Sequence, residues 1–430
     1  MAAIDSDAHR VEAKAQLDWV TEVQSALRRY QNYMDEEVLV FKLPDYLRSP
    51  PEDFTPKEWR FGLHNRGALH VGGSEAMKIS AAAAFGLVGS AWDDFCDEIV
   101  DDCGRVLKSY GLHDQLTTNF NERQVKYLLA LDALFLVLRF GSVSQVTPAL
   151  ESLLQSPYAI PRLQALALGD IVLLENQIPM ELLRKVVKKC TGNNCLQSAS
   201  STHTNDDTAE EIEALDKILK EAMECASPFP DQLIIDGNDY TIREYLNLTY
   251  NPGTLGSCRH ILDCVHNMIC GPKDVARVPT HPHLSIQPAM SLKKTGIRLK
   301  KISGTLEHIS FRRGCLYIPC IDLEDKTRAL FHNLSLYESL CTDSCAFNQY
   351  MLLMLDLIHS KNDVKLLIDC GVIHNHLGND MKALEMWSSM SKNFIITGSS
   401  ADFHRMKAQI KKHCRTMKLE QYMCRLCNCL

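Results

Sequence analysis

The run from Leu128 to Leu138, apolar at every position except Asp132, constrains this chain more than any other feature. It falls short of the roughly 18 to 20 apolar residues that cross a bilayer as a helix. The surrounding segment, Arg123 to Phe140, is apolar on nearly every face, so as a helix it must be enclosed by other protein and sit at the centre of a core. With 46% hydrophobic residues in 430, the chain has enough apolar surface to wrap such a helix. The carboxylate of Asp132 inside it needs hydrogen-bonding or charged partners, because a bare buried carboxylate is too costly.

A second segment offers such partners. In Gly169-Asp170-Ile171-Val172-Leu173-Leu174-Glu175-Asn176-Gln177-Ile178-Pro179, four polar side chains interrupt an apolar stretch that ends at a proline. Pro179 suits the first turn of a new helix running to Cys190, and Ile178 before it is pushed out of helical geometry, so two helices meet there at a bend. The amides of Asn176 and Gln177 are the expected donors to Asp132. On this reading Asp132, Asp170, Glu175, Asn176, Gln177 and Pro179 form a structural signature that holds helix junctions, and none of them is catalytic.

That segment resembles the signature D-L-x-L-L-E-N-Q-[IL]-P of a plant-specific family, the one known as domain of unknown function 247. Further motifs carry the resemblance. Leu43-Pro44-Asp45-Tyr46-Leu47-Arg48 is similar to the family's V-P-x-Y-L-R, and Phe54-Thr55-Pro56 stands in place of its Y-x-P. Gly62-Leu63-His64-Asn65-Arg66-Gly67 occupies the place of G-P-Y-H-H-G, keeping the two glycines but not the histidine pair, so no ligand site is carried over there. Leu131-Asp132-Ala133-Leu134-Phe135-Leu136 resembles M-x-x-D-G-x-F-x-x-E, and Ser291 to Lys300 resembles A-x-E-L-x-x-A-G-I-K-F-K. The resemblance runs discontinuously from about residue 38 to 395. It implies recognition or signalling, since some members are associated with pollen–stigma self-incompatibility in grasses and others with development. Members commonly finish with a hydrophobic anchor helix, whereas Lys407 to Leu430 is basic and cysteine-rich and contains no such segment.

The fold expected is mainly α, a large irregular helical globule with a minor β-hairpin. Residues 1–37 read as an amphipathic opening helix, 38–400 as the family-like helical domain with loops at about 191–208 and 271–291, and 401–430 as a divergent, frayed cysteine-rich tail. Residues 75–111 read as one long helix and 122–140 as another. Further helices are expected over Thr208 to Cys225 and Ile242 to Cys270. Leu306 to Phe311 and Leu316 to Ile318, separated by Arg312-Arg313-Gly314-Cys315, read as the hairpin. A helix capped at Ser360 and closed at Gly371, and another opening at Gly378-Asn379-Asp380, complete the chain.

Composition narrows the function classes. With 53 acidic against 46 basic residues and a formal charge of -7, the chain has no broad electrostatic footprint for nucleic acid. The polar start lacks an apolar leader, and 17 cysteines at irregular spacing fit reduced thiols, so a cytoplasmic setting without a transmembrane helix is expected. Asp93-Asp94-Phe95-Cys96-Asp97 matches D-D-x-x-D, and Asp93, Asp97 and Asp101 align on one helical face. A metal-assisted enzyme using Asp93, Asp94 and Asp97 is therefore the alternative to a non-enzymatic interaction protein. No second metal motif follows, and Asn205-Asp206-Asp207-Thr208 lacks the hydroxyl ligand at Ala209. Cys424-x-x-Cys427-x-Cys429, with His413 and Cys414 upstream, lacks a distant second ligand pair. His281-x-His283 and His374-x-His376 lack thiol or carboxylate partners at helical spacing and read as surface or satisfied histidines. Nucleophile elbows, kinase motifs and phosphate loops are missing, Gly72-Gly73-Ser74 and Gly253 to Ser257 included. No metal or cofactor is expected. Lys293, Lys294 and Lys300, with Arg298 and Lys301, form the one basic patch suited to peripheral contact with an acidic lipid leaflet or partner.

Overall fold

The computed structural model describes residues 38–66, 73–111, 120–140, 169–191, 258–271, 284–390 except 303 and 343, and 400–427, with pieces of 215–239. The expected opening helix, the loop at 197–207, most of the helix at 208–225, the first part of that at 242–270, and His281 and His283 lie outside these residues.

Around the central apolar segment the N-terminal half assembles four short helices: α1 (Ser74–Ala84), α2 (Ser90–Ile99), α3 (Cys103–Ser109) and α5 (Met180–Thr191), all packed against α4 (Glu122–Phe140). Every residue of α4 from Leu128 to Leu138 is buried, as its all-round apolar surface requires. The single helix expected over 75–111 is instead three. Gly86 and Gly89 adopt positive φ (91° and 59°) between α1 and α2, a conformation that ends a right-handed helix. Asp102, whose carboxylate accepts from Arg105 N at 2.9 Å, then caps α3.

The C-terminal half contains α6 (Ile261–Cys270), α7 (Ala289–Lys294), α8 (Thr327–Cys341), α9 (Ala346–Leu357), α10 (Lys361–Asp369), α11 (Asp380–Met390) and α12 (Ala401–Cys427). Ser360 caps α10 through Asp363 N, and Gly371 at φ 70° closes it, as the sequence indicates. After the two-residue pair β1 (Ile234–Ile235) and β2 (Asn238–Asp239) comes a sheet of β3 (Arg298–Ile302), β4 (Ser310–Arg312) and β5 (Cys315–Pro319), in the order β3-β5-β4. β4 and β5 form the expected hairpin, turning on Arg313 and Gly314, both at positive φ (51° and 69°), the geometry that matches strand twist, but its first strand starts at Ser310, since Leu306–His308 form a 3-10 turn. β3 joins β5 in parallel. A further parallel pair, β6 (Ile321–Leu323) with β7 (Ile373–Asn375), was not foreseen, because each strand is too short to show alternation. The fold is thus predominantly α with minor β.

Over its described residues the tail is helical rather than frayed. α12 packs against β4, and Phe403, Met406, Lys407, Ile410 and Cys414 are buried at helical spacing. Lys407 donates to Asp356 at 2.7 Å; burial lowers its pKa, and Asp356 opposes that shift. None of the described helices is long and apolar enough to cross a membrane.

Candidate functional site

The signature segment is a buried turn whose polar side chains replace missing backbone pairing. Asp170 accepts three consecutive N–H groups, those of Lys57, Glu58 and Trp59, at 2.9, 2.7 and 2.9 Å. Burial raises its pKa, and these bonds oppose the rise. Asn176 continues along the same strand-like segment, accepting from Phe61 N at 2.7 Å and donating to Trp59 O at 2.9 Å and Asp170 O at 2.8 Å. Gln177 donates to Ile171 O and Leu173 O, both at 2.7 Å, and accepts from Leu262 N at 3.1 Å, so it ties the turn to the start of α6. Glu175 accepts from Leu43 N and Arg48 Nη2, both at 2.7 Å. Pro179 sits directly before α5 and leads into it. Asp132, Asp170, Glu175, Asn176 and Gln177 are at most 3% exposed.

The expected pairing of Asp132 with Asn176 and Gln177 is not what forms. Asp132 accepts from Gly62 N at 2.9 Å, Arg66 Nη2 at 2.5 Å and Lys78 Nζ at 2.7 Å. Glu75 completes the group, 2.7 Å from Arg66 and 2.8 Å from Lys78, which gives two anions and two cations, with Asp132 and Lys78 fully buried and Glu75 partly exposed. Neutral amides cannot balance a buried charge, whereas two cations can. Burial alone would depress the pKa of Arg66, but Asp132 and then Glu75 raise it. Arg66 stands where the family motif has its second histidine, so the departure from that motif is what supplies this counter-charge. The amide and acid networks meet at neighbouring residues: Phe61 N bonds Asn176, and Gly62 N bonds Asp132. At φ 69°, Gly62 lies so close to Gln177 O and Tyr110 Oη that a Cβ would collide with both.

From the far half of the chain, Asn333 on α8 accepts from Leu174 N at 2.8 Å and donates to Asp53 O at 2.7 Å. Arg328 and His332 hold the Asp53 carboxylate, with His332 Nδ1 at 2.7 Å. Burial would raise the pKa of Asp53, but His332 and Arg328 bring it below the usual carboxylate range. A surface recess of about 500 Å³, partly open solvent, borders this junction at Glu52, Lys57, Asp170 and Lys326. Asp170 lines it, but both of its carboxylate oxygens already accept from the three N–H groups.

The D-D-x-x-D carboxylates do not converge. Asp93 bonds Tyr127 and Arg123, Asp97 pairs with Lys126 at 2.9 Å, and Asp101 pairs with Lys185 at 2.7 Å. Asp94, Asp97 and Asp101 are exposed, and Asp93, Asp97 and Asp101 are each paired with a different basic neighbour. Two other groups combine thiol, imidazole and carboxylate. His266, Cys270 and Glu338 are fully buried; Glu338 accepts from Phe347 N at 2.8 Å and Asn348 N at 2.7 Å, which caps α9, and from His266 at 3.0 Å when that ring carries its proton. Cys320, Asp322 and His374 meet across β6 and β7, with His376 beside them. His374 and His376 lie at the surface and are satisfied, as the sequence indicates; their thiol and carboxylate neighbours come from a strand some 50 residues away, outside the reach of local spacing. Cys424 and Cys427 fall within α12.

These features define a helical scaffold whose diagnostic polar residues face inward. The family model described as "Plant protein of unknown function" (domain of unknown function 247) matches residues 40–428, and the chain belongs to this family. It is 34% identical over 128 residues to Putative UPF0481 protein At3g02645 of Arabidopsis thaliana, covering 29% of this chain and 24% of that protein. It is 21% identical over 378 residues to UPF0481 protein At3g47200 of the same plant, covering 84% of this chain and 74% of that one. The first match thus spans about a quarter of its relative's length. No solved structure matches the chain significantly.

Proposed function

We propose that the chain is a non-enzymatic interaction protein of the recognition or signalling type, acting in the cytoplasm, whose rigid helical body presents a docking surface to a protein partner. One observation carries this reading: the polar groups of the family signature are engaged in internal hydrogen bonds, Asp170 included although it lines the recess beside Glu52 and Lys326. The acidic helix that would support a metal-assisted enzyme is neutralised by separate basic partners on an exposed face, which weakens that alternative. The test is a proximity-labelling and pull-down survey with wild type and the Asp93→Asn/Asp94→Asn/Asp97→Asn variant. An interaction protein keeps its partners in the variant, whereas loss of the biological activity in a variant that remains folded would favour the enzyme.

A second reading, peripheral contact with an anionic membrane surface, is favoured by the strand register. Lys300 faces Tyr317, and both Arg298 and Arg312 face Cys315, which sets three cations on one side of the sheet. All three cations are exposed and have no acidic partner among the described residues, and Lys293 and Lys294 follow at the end of α7. Such a row attracts an acidic leaflet within a Debye length. Association with phosphatidylserine vesicles should fall with salt and be lost in Lys293→Glu/Lys294→Glu/Lys300→Glu. Salt-independent behaviour would remove the reading.

A further inference from the structure

The alternation of a strand places successive side chains on opposite faces, and in a parallel pair residues in register share a face. In β6 and β7, Ile321, Leu323 and Ile373 point inward and are fully buried. Asp322 and its register partner His374 therefore point the other way. Cys320, two residues before Asp322, and His376, two after His374, fall on that same face. The sequence thus contributes Cys-x-Asp from one strand and His-x-His from the other. The ladder extends to both ends, through Ile321 N to Val372 O and His376 N to Leu323 O, each 3.0 Å. Asp322 N is further tied to Pro228 O at 2.7 Å, so the backbone that carries the four side chains is held on both strands.

The side-chain atoms are already close. With one ligand atom per residue, Cys320 Sγ lies 3.6 Å from His374 Nδ1, and His374 Nδ1 lies 2.9 Å from Asp322 Oδ1; these three atoms lie within 4.8 Å of one another, and His376 Nε2 stands beside them, 3.6 Å from the same Asp322 oxygen. Zinc bond lengths of about 2.3 Å to sulfur and 2.0 to 2.2 Å to nitrogen or oxygen give tetrahedral ligand separations of about 3.3 to 3.6 Å. Cys320 is 1% exposed and lies deepest, while Asp322, His374 and His376 are 26%, 44% and 54% exposed at the rim, which leaves a path for an ion to enter. Asp322 has no lysine or arginine partner among the described residues; its carboxylate is faced by two histidines alone.

We propose that Cys320, Asp322, His374 and His376 bind one Zn²⁺ ion that clips β6 to β7. Thiolate, two imidazoles and a carboxylate suit zinc, and four protein ligands make a closed, structural site rather than one with an open catalytic position. The two anionic ligands balance the ion's charge, and binding releases the Cys320 thiol proton. The buried group His266, Cys270 and Glu338 is not a rival, because Glu338 already serves as the cap of α9. The clip joins the strand that precedes α8 to the strand that follows α10, so it braces the C-terminal half. It is independent of the docking reading above.

The test uses the full chain under reducing conditions, stripped with a chelator, then titrated with Zn²⁺ against a chromophoric competitor and, separately, with Co²⁺. One ion per chain is expected, with Co²⁺ giving tetrahedral ligand-field bands and a thiolate charge-transfer band that Cys320→Ser abolishes. His374→Gln and His376→Gln, at the exposed rim, should each weaken Zn²⁺ affinity at least tenfold. Zinc should raise the melting temperature of the wild type but not of the His374→Gln/His376→Gln variant. The proposal is overturned if no ion is retained, if the double histidine variant binds as tightly as wild type, or if Cys424→Ser/Cys427→Ser/Cys429→Ser removes the binding instead.

Discussion

At the scale of single residues, the signature behaves as a set of backbone substitutes, and that fixes what substitutions should do. Asn176→Leu takes the acceptor from Phe61 N and one donor each from Trp59 O and Asp170 O in a buried setting, while Asp170 O keeps Leu173 N at 3.3 Å. With a desolvation penalty of about 1 to 3 kcal/mol for an orphaned buried group, a loss of that size is expected in urea unfolding. A change within measurement noise would mean that these bonds contribute nothing net. Gly62 offers a sharper comparison. Gly62→Ala meets both left-handed strain and a collision with Gln177 O, whereas Gly378→Ala, at φ 78° with open space around it, meets the strain alone. Strain by itself costs about 1 to 2 kcal/mol, so the Gly62 variant should be clearly the less stable of the two. The counter-charges of Asp132 are not legible in the sequence for a physical reason: Arg66 and Lys78 lie in segments whose proximity to α4 depends on how α1 packs. Asp132→Asn should cost about 3 to 5 kcal/mol, because two buried cations then share only Glu75. Asp93→Asn should leave the unfolding midpoint where it was.

At the scale of elements, the central helix and the helix after Pro179 were legible because a single segment carried the whole signal, in all-round apolarity or in a proline. The breaks at Gly86 and Gly89 were present in the sequence but were outweighed by the apolar spacing around them. β6 and β7 were not legible, since three-residue strands far apart in the chain become a pair only through the topology between them. Start signals were also missed where the cap is unusual. His260 caps α6 through Nδ1, which accepts from Asp263 N at 3.2 Å and must therefore be unprotonated. Burial, reinforced by Arg259, lowers its pKa to about 4, and burial does the same for His64. The unfolded chain takes up these protons near pH 6.5, so between about 6.5 and 4 it binds more protons than the folded one. Stability should fall with acidification across that window, at up to about 1.4 kcal/mol per pH unit for each histidine. His266 contributes with the opposite sign: Cys270 and Glu338 raise its pKa against the effect of burial, so its contribution fades as pH rises above 6.5. His260→Asn keeps a capping group without the titration. Urea midpoints measured from pH 7 to 4 should therefore show about half the acid-side slope in that variant, and an unaltered slope would exclude His260 as the source.

For the molecule as a whole, the question is whether the two halves unfold as one. The sequence suggests a weak boundary, with a Ser, Thr and Asn-rich loop and a proline-marked linker before the C-terminal third. The contacts argue otherwise. Asn333 reaches both Asp53 and Leu174, and Arg328 and His332 grip the Asp53 carboxylate, so α8 is bonded to the N-terminal segment and to the signature turn together. Gln177 and Met180 are bonded in turn to Leu262 and Arg259 at the start of α6. Each half thus completes the hydrogen bonding of the other, and opening the junction would expose buried polar groups on both sides before either core is lost. Such coupling predicts a single cooperative transition. The test follows Trp59 and Trp387, which are buried in the N-terminal and C-terminal halves, in single-tryptophan variants during urea unfolding. The two curves should coincide in an otherwise wild-type background. Asn333→Ala/Arg328→Ala should lower both midpoints and, with the junction weakened, begin to separate them. Separate curves without these substitutions would mean that the interface is too weak to couple the halves.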